Sequence, residues 1–263
     1  PGDYAVLEAH RALTAGMHVF LFSDHVSVAD EIALKRRGAE RGLLVMGPEC
    51  GTAMLGGVGL GFANNVRAGS VGIVAAAGTG AQEASVLLDR AGAGVSHIIG
   101  VGGRDLSADV GGIMFRRGME LLAADDGTDT LLLVSKPPDP AAVAALGDVD
   151  VAGKRVVAAF VGWQDDDAPF EVHATLEAGA FAAAGTRPPR AEAEPPRAEG
   201  DLLGLFSGGS LAYEAETILG PGRRILDLGT EEYTQGRPHP MVDPELRLAM
   251  LRDEAREAGL VLL

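Results

Sequence analysis

The chain has 263 residues, of which 47% are hydrophobic and only 5% aromatic, with a net charge of −15 and a single cysteine, Cys50. This length fits one large domain or two small ones, and the acidic balance argues against nucleic acid or an anionic membrane surface as a partner. One cysteine excludes an internal disulfide framework and fits the reducing cytoplasm, and no apolar run approaches the roughly 20 residues that span a bilayer.

Short apolar strands alternate with helices along the first two thirds of the chain. This alternation predicts an α/β fold with a parallel sheet and right-handed crossovers. In chain order, strands are predicted at 18–22, 43–46, 71–76, 97–101, 130–134 and 155–161, and helices at 8–15, 28–41, 82–91, 111–124, 141–146 and 175–184.

A proline-rich segment at 187–200, RPPRAEAEPPRAEG, has no hydrophobic period and indicates an extended, semi-rigid linker. A second strand–helix unit follows at 202–219, then a strand at 224–228, a long loop and a helix at 245–258. The final run, GLVLL, is typical of a strand just begun, so we expect the sequence to be a piece of a longer protein.

Two segments share one pattern: 71–85 reads VGIVAAAGTGAQEAS, and 202–216 reads LLGLFSGGSLAYEAE. Each is an apolar strand, a tight glycine loop with a hydroxyl residue, and an Ala/Glu-containing helix. Glycine lets the backbone approach a ligand closely, and a helix that starts there directs N–H groups and a partial positive charge at the loop. The candidate phosphate-binding residues are Gly78, Thr79 and Gly80 in the first loop and Gly208, Gly209 and Ser210 in the second.

The two loops lie about 130 residues apart, which suggests two related units facing one phosphate-like ligand. The alternative for each loop is a plain turn between strand and helix. Neither loop has dinucleotide-binding spacing or the lysine of a nucleotide P-loop. A third glycine-rich stretch, GVGLG at 57–61, is followed by FANNV rather than a helix, which argues against a nicotinamide site.

Four segments carry a family resemblance: GPECGTAMLGGVGLGFANNVRAGSVGIVAAAGTGAQEASVLLDR, IGVGGRD, SGGSLAYEA and ILDLGTEEYTQGRPHPMVDP. Together they resemble the FdrA proteins of the succinyl-CoA synthetase (NDP-forming acyl-CoA synthetase) superfamily, over nearly the whole chain. The resemblance implies that 1–66 is the end of a Rossmann-like CoA-binding domain and that 67–184 is a flavodoxin-like, three-layer ligase domain of the alpha type. It further implies that 185–200 is the linker and 201–263 the truncated start of the equivalent beta-type domain.

The same resemblance implies a function. FdrA-like proteins are associated with allantoin catabolism, as a subunit of an oxamate carbamoyltransferase that converts oxalurate and phosphate into oxamate and carbamoyl phosphate. The expected ligands are therefore phosphate and carbamoyl phosphate, with CoA as a further candidate. The expected partners are other subunits of a hetero-oligomer or a second copy of the chain, in the cytoplasm. The alternatives are a succinyl-CoA-ligase-like acyl-CoA synthetase subunit and a non-catalytic scaffold.

The chain departs from the synthetases at their phosphohistidine. They carry this residue in a Gly-His-Ala-Gly loop, whereas the corresponding stretch here reads FVGWQDDDAPFEVHATLE. His173 lies in that stretch, but no glycine loop frames it, and we expect no ATP-grasp domain within these 263 residues. These differences argue against ATP-driven thioester synthesis through a phosphohistidine.

Three further side chains are candidates for the site. Arg104 in GGRD is suited to clamp a carboxylate or phosphate, the alternative being an ion pair with Asp105 or Asp109. His239, between two prolines that fix the shape of its loop, would work with Arg237 to bind the oxalurate carboxylate or protonate the leaving nitrogen; the alternative is a packing role. Cys50 is expected in the core, and no residue cluster has the spacing of a zinc or calcium site.

Overall fold

The alternation of strands and helices predicted from the sequence is confirmed in a computed structural model, which describes residues 2–165, 167–189, 201–254 and 259–263. The chain divides into two units, Pro1–Pro188 and Pro189–Leu263. Of the predicted linker, residues 190–200 lie outside the described residues. Within the described residues, no helix combines the length and the apolar character needed to cross a membrane.

The first unit contains fifteen elements in the residues described. They are α1 (Asp3–Thr14), β1 (Val19–Phe20), α2 (Val28–Glu40), β2 (Val45–Met46), β3 (Thr52–Leu55), β4 (Val58–Gly61), β5 (Ala68–Ala75), α3 (Gly78–Arg90), β6 (Val95–Gly100), α4 (Ile113–Ala124), β7 (Thr130–Ser135), α5 (Pro140–Leu146), β8 (Arg155–Phe160), β9 (Glu171–His173) and α6 (Leu176–Ala183).

A seven-stranded sheet forms the centre of this unit, in the order β4-β3-β6-β5-β7-β8-β9. The five strands from β6 to β9 in this order run parallel. The central strands are buried apolar runs such as Leu131–Val134, as expected for a parallel sheet covered on both faces. β1 and β2 pair separately as a two-stranded parallel sheet.

The hairpin of β3 and β4 was not predicted. It pairs antiparallel within itself and joins the large sheet beside β6. Its turn is Gly56-Gly57, with φ of 57° and 80°, and two successive residues with positive φ match the two-residue turns that suit hairpins. The GVGLG stretch therefore forms a hairpin strand, and the Gly-Gly pair between apolar residues was the available sequence signal.

β9 was also missed, because three residues reading Glu-Val-His give no apolar run. The strand nevertheless pairs in parallel with β8, with Val157 opposite Glu171 and Ala159 opposite His173. It forms one edge of the sheet, and β4 forms the other.

The second unit contains β10 (Leu202–Phe206), α7 (Gly209–Leu219), β11 (Arg224–Asp227), α8 (Glu231–Thr234), α9 (Glu245–Glu254) and β12 (Leu260–Leu262). β10 lies between β11 and β12, and both pairings are parallel. A small core forms around Leu203, Leu205 and Leu228. The predicted strand in GLVLL is present as β12, whereas the short helix α8 falls in a stretch predicted as loop. The predicted helix at 245–258 is described as far as Glu254.

A buried ionic network joins α2 to the segment between β6 and α4. The side chain of Lys35 is fully buried, and its Nζ donates to Glu31 Oε1 at 2.6 Å, to Asp105 Oδ1 at 2.7 Å and to the Val101 carbonyl at 2.8 Å. Glu31 and Asp105 are at most 1% exposed. All three ammonium donors therefore have acceptors, as a charge taken out of water requires.

We expect Lys35→Met to lower the free energy of unfolding of the first unit by about 3–5 kcal/mol, because it leaves two buried carboxylates without their cation. The measurement is urea unfolding followed by the fluorescence of Trp163, the single tryptophan, which lies in this unit. Arg11→Met is the control, since Arg11 and Glu8 form an ion pair in which both side chains are 66% exposed, and such pairs contribute little. A loss for Lys35→Met no larger than that of the control would contradict the prediction.

Candidate functional site

The two glycine loops lead into helices whose first N–H groups have no acceptor from a side chain. α3 follows Ala77 and α7 follows Gly208; neither residue caps its helix through a side chain, and neither helix has an acidic residue in its first turn. Among the described residues, no side-chain oxygen accepts from the N–H groups of 78–80 or 209–211. Each loop therefore keeps several backbone donors and the positive end of a helix dipole.

Four other helices of the first unit, α2, α4, α5 and α6, differ on this point. At α4, the Asp105 carboxylate accepts from the N–H groups of Met114 and Phe115, at 3.3 and 2.8 Å. At α2, α5 and α6, the acceptors are the side-chain oxygens of Ser27, Asp139 and Thr175. Because these helix starts already have an oxygen partner, α3 and α7 are the better candidates for an external anion.

The first loop is only partly accessible. Gly78 is exposed, Thr79 is half-buried and Gly80 is buried. The β3–β4 hairpin brings Thr52 to this loop: its Oγ1 accepts from Gln82 Nε2 at 2.7 Å and lies 3.9 Å from where a Cβ on Gly78 would stand. The sequence did not predict Thr52 as a neighbour of this loop, because β3, which begins at Thr52, was not predicted.

Lys136 and the first loop both lie at the end of the sheet where the parallel strands β5 and β7 finish. β5 pairs with β7, with Ala75 opposite Val134, and Lys136 follows the last residue of β7. Its side chain is exposed. The exposed cation after a buried strand was the available signal for this residue, which the sequence analysis did not name.

The side chain of Arg104 makes its hydrogen bonds within the first unit. Its Nε donates to Glu31 Oε2 at 2.8 Å, and one terminal nitrogen donates to the Val26 carbonyl at 2.9 Å. The alternative ion pair with Asp105 or Asp109 is wrong, because Asp105 binds Lys35 and Arg104 binds Glu31. A role for Arg104 in clamping a ligand stays a prediction, and it would have to use the remaining donors of the guanidinium group.

In the second unit, two later parts of the chain approach the glycine loop at Ser207: α9 and the loop that carries His239. Arg247, on α9, donates to Ser207 Oγ at 3.2 Å. The half-buried ring of His239 packs near the Ser207 carbonyl: a Cβ placed on Gly229 would lie 2.6 Å from His239 Nε2 and 3.1 Å from Ser207 O. The structure therefore brings His239 to the second loop, and it adds Arg247, which the sequence analysis did not name. Arg237 is exposed.

His173 lies away from the first loop. Its Nε2 is 2.9 Å from Glu171 Oε1, and the other oxygen of Glu171 accepts from Arg155 at 2.7 Å. The hydrogen bond from Arg155, then that from His173, lowers the pKa of the Glu171 carboxyl. β9 is three strands from β5, a lateral separation of roughly 14 Å at the usual strand spacing. These side chains, with Arg187, line a surface cavity of about 440 Å³.

Within the described residues there is no group of three or more His, Cys, Asp or Glu side chains that could bind a metal ion. The structure therefore assigns no metal ligands in that part of the chain.

The chain has relatives among known proteins. It is 37% identical to the uncharacterised protein YahF of Escherichia coli K12 over an alignment of 302 positions, which covers 97% of this chain and 58% of YahF. It is 29% identical over 141 residues to the mitochondrial subunit alpha-2 of ADP-forming succinate–CoA ligase from Trichomonas vaginalis, covering 52% of this chain and 44% of that subunit. The chain is a homologue of succinate–CoA ligase alpha subunits. It spans about half the length of these curated relatives, and no protein-family model matches it.

A solved structure shares the fold of this chain. The ATP citrate lyase of Methanothrix soehngenii, determined in complex with citrate and coenzyme A, superposes with a TM-score of 0.52 at 17% identity. The match covers 73% of this chain and 35% of the lyase. It confirms the α/β fold class of this homologue of the ligase alpha subunits.

Cys50 is a core residue, as predicted, with 4% of its surface exposed. Its Sγ lies 3.3 Å from the Gly100 carbonyl oxygen and 3.5 Å from that of Thr52. Burial raises the pKa of the Cys50 thiol to about 11. The protonated thiol is therefore the dominant form at neutral pH, which does not suit a nucleophile.

We expect native protein near neutral pH to resist alkylation of Cys50 by iodoacetamide, because the reactive thiolate is on the order of a thousandth of the population or less. Alkylation should accelerate as the pH rises toward about 11, where the thiolate forms. Mass spectrometry of the intact chain measures the modification, and protein unfolded in urea, which should react fully, is the control. Rapid alkylation of the folded protein near neutral pH would show that Cys50 is accessible and ionised.

Proposed function

We propose that this chain is an FdrA-like subunit of an acyl-transfer enzyme and that its glycine loops bind phosphate. The reaction we propose is carbamoyl transfer between oxalurate and phosphate, with oxamate and carbamoyl phosphate as products. One observation carries the proposal. The helix starts at Gly78 and Gly209 lack both a side-chain cap and a first-turn acid, which is the arrangement that favours a bound anion.

The chemistry suits such donors. A phosphate oxygen attacks the ureido carbonyl carbon of oxalurate, the bond from that carbon to the inner nitrogen breaks, and the nitrogen leaves as the amide of oxamate after it takes up a proton. Negative charge develops on the carbonyl oxygen during the attack. Backbone N–H groups that are already oriented stabilise such charge without rearrangement. His239, beside the second loop, is the group we assign as the proton donor.

NDP-forming acyl-CoA synthesis is the second candidate, and the homology to succinate–CoA ligase alpha subunits favours it. The position of His173 counts against it, since this histidine is bound by Glu171 on an edge strand and not placed at the first loop. Nor does the strand-to-helix turn within 1–66 fit the diphosphate of CoA: Ser27 caps α2, and Asp30 and Glu31 occupy its first turn. We therefore derive no step through CoA.

A non-catalytic scaffold is the third candidate, and the uncapped helix starts argue against it.

Partner subunits belong to the proposal as well. The Trichomonas vaginalis relative is named as an alpha subunit, and the chain spans only part of YahF. We propose that the active form is a hetero-oligomer, so activity is to be tested with the full-length protein and its partner subunits.

Gly78→Asp should weaken phosphate binding at the first loop by at least about tenfold. A carboxylate about 4 Å from a bound anion repels it by about 4 kcal/mol at an effective dielectric near 20, and solvent reduces this at an exposed position. Folding should be preserved, because the nearest atom to a Cβ here is Thr52 Oγ1 at 3.9 Å. Gly80 is the poorer choice, since it is buried.

Isothermal titration of phosphate into each variant measures the effect, with circular dichroism as the check on folding. Gly78→Asn is the matched control, because it adds nearly the same volume without the charge. Equal phosphate affinities for the Asp and Asn variants would remove the first loop from the proposal.

The proposed reaction predicts phosphate-dependent formation of carbamoyl phosphate from oxalurate by the full-length protein with its partners. In a parallel assay with ATP, CoA and a carboxylic acid, we expect no thioester, and no label on His173 from γ-labelled ATP. Acid-labile, base-stable label on His173, together with a thioester product, would establish the synthetase candidate instead.

A further inference from the structure

The imidazole of His239 is positioned from two sides. We propose that Gly229 and the backbone N–H of Met241 help to position this ring, and that His239 is held with its proton on Nε2 near the second glycine loop. This inference rests on the proposed function for the use of that proton, but the positioning itself is measurable without any assay of activity.

The first element fixes the tautomer. The N–H of Met241 donates to His239 Nδ1 at 3.2 Å. A nitrogen that accepts a hydrogen bond carries no proton, so the neutral ring carries its proton on Nε2. The turn that makes this contact is well bonded, because the N–H groups of Val242 and Asp243 both donate to the His239 carbonyl, at 2.8 and 3.0 Å.

The second element is the space over Gly229. A Cβ at this position would lie 2.6 Å from His239 Nε2, closer than side chains approach one another, and 3.2 Å from Asp227 Oδ1. Gly229 is not among the glycines with positive φ, so its backbone conformation is open to other residues. Glycine is therefore needed at 229 for a steric reason. The His239 ring occupies the space where a Cβ would stand, near the carbonyl of Ser207.

These two contacts give the ring an orientation with a chemical use. Nε2 packs near the carbonyl of Ser207, and the N–H groups at the start of α7 follow directly in the chain. A proton on Nε2 is thus held near Ser207, which lies two residues before the first of the donors assigned to the anion. His239 is the catalytic residue of this arrangement, and Gly229 and Met241 act through it.

The direct test is nuclear magnetic resonance of the full-length protein with ¹⁵N-labelled histidine rings. Long-range ¹H–¹⁵N correlations report which nitrogen of each histidine ring is protonated, and the His239→Gln variant assigns the signals of His239. We expect an unprotonated Nδ1 and a protonated Nε2. Gly229→Ala should move the signals of His239 and leave those of His18 and His97 in place. A protonated Nδ1 in the parent, or an unchanged His239 ring in Gly229→Ala, would overturn the proposal.

Kinetics test whether Gly229 acts through the ring. His239→Ala should lower carbamoyl transfer roughly 100-fold, as the loss of an acid–base group does. Gly229→Ala should lower it at least about tenfold, with phosphate affinity changed less than about twofold. In the His239→Ala background, the added Gly229→Ala change should have almost no further effect, because the ring that it displaces is gone. A full, additive loss in that background would show a structural role for Gly229 and overturn the proposal.

The positioning of the His239 ring and its use as a proton donor are tested separately. If the His239 signals behave as expected but His239→Ala turns over like the parent, the positioning stands and the proposed proton donor is wrong. If Gly229→Ala does not fold, the tautomer measured in the parent still decides the role of Met241.

Discussion

The ammonium group of Lys35 has to find three oxygen partners away from water, and much of the first unit is arranged around that requirement. The partners come from α2, from the chain just after β6, and from Asp105. Asp105 in turn accepts from the first N–H groups of α4. One buried cation therefore sets the relative position of two helices and of the segment that leaves β6.

This constraint reaches the candidate site through Glu31. The carboxylate of Glu31 binds Lys35 with one oxygen and Arg104 with the other, so two cations and two anions form a closed, nearly neutral group. Arg104 is a neighbour of Asp105 in the chain, and its guanidinium group donates a hydrogen bond to Glu31 on α2. An arginine that the sequence places next to a glycine loop is thereby used in part for structure.

The periodicity of apolar residues was sufficient for the main elements, because long amphipathic helices and buried strands such as β5, β7 and β8 have strong local signals. The strands that were missed are short and supported by pairing: β9 has the sequence Glu-Val-His, and β3 and β4 depend on a Gly-Gly turn. The glycine loops were visible in the sequence because each is local. The contacts that complete them, Thr52 at the first and Arg247 at the second, come from distant parts of the chain, and no local pattern encodes a contact of that kind.

The partner of Arg104 illustrates the same limit. Local reasoning offered Asp105 or Asp109, which are its nearest acids in sequence, whereas the acid that binds it is Glu31, on a helix more than seventy residues earlier. The choice is decided by burial, since Asp105 is already needed by Lys35 and by α4. Competition among buried charges for a few partners is a property of the assembled fold.

Both edge strands of the seven-stranded sheet are poor templates for pairing with a strand of another chain. A β-strand at a margin exposes unpaired N–H and C=O groups that favour association with a further strand. Here one margin is β4, four residues with two glycines, and the other is β9, three residues with a glutamate and a histidine. Strands so short, and either flexible or charged, give little continuous hydrogen bonding to an incoming segment. The sheet of the first unit therefore offers little for self-association by strand addition, which leaves its helical faces and loops as the surfaces for contacts with other chains.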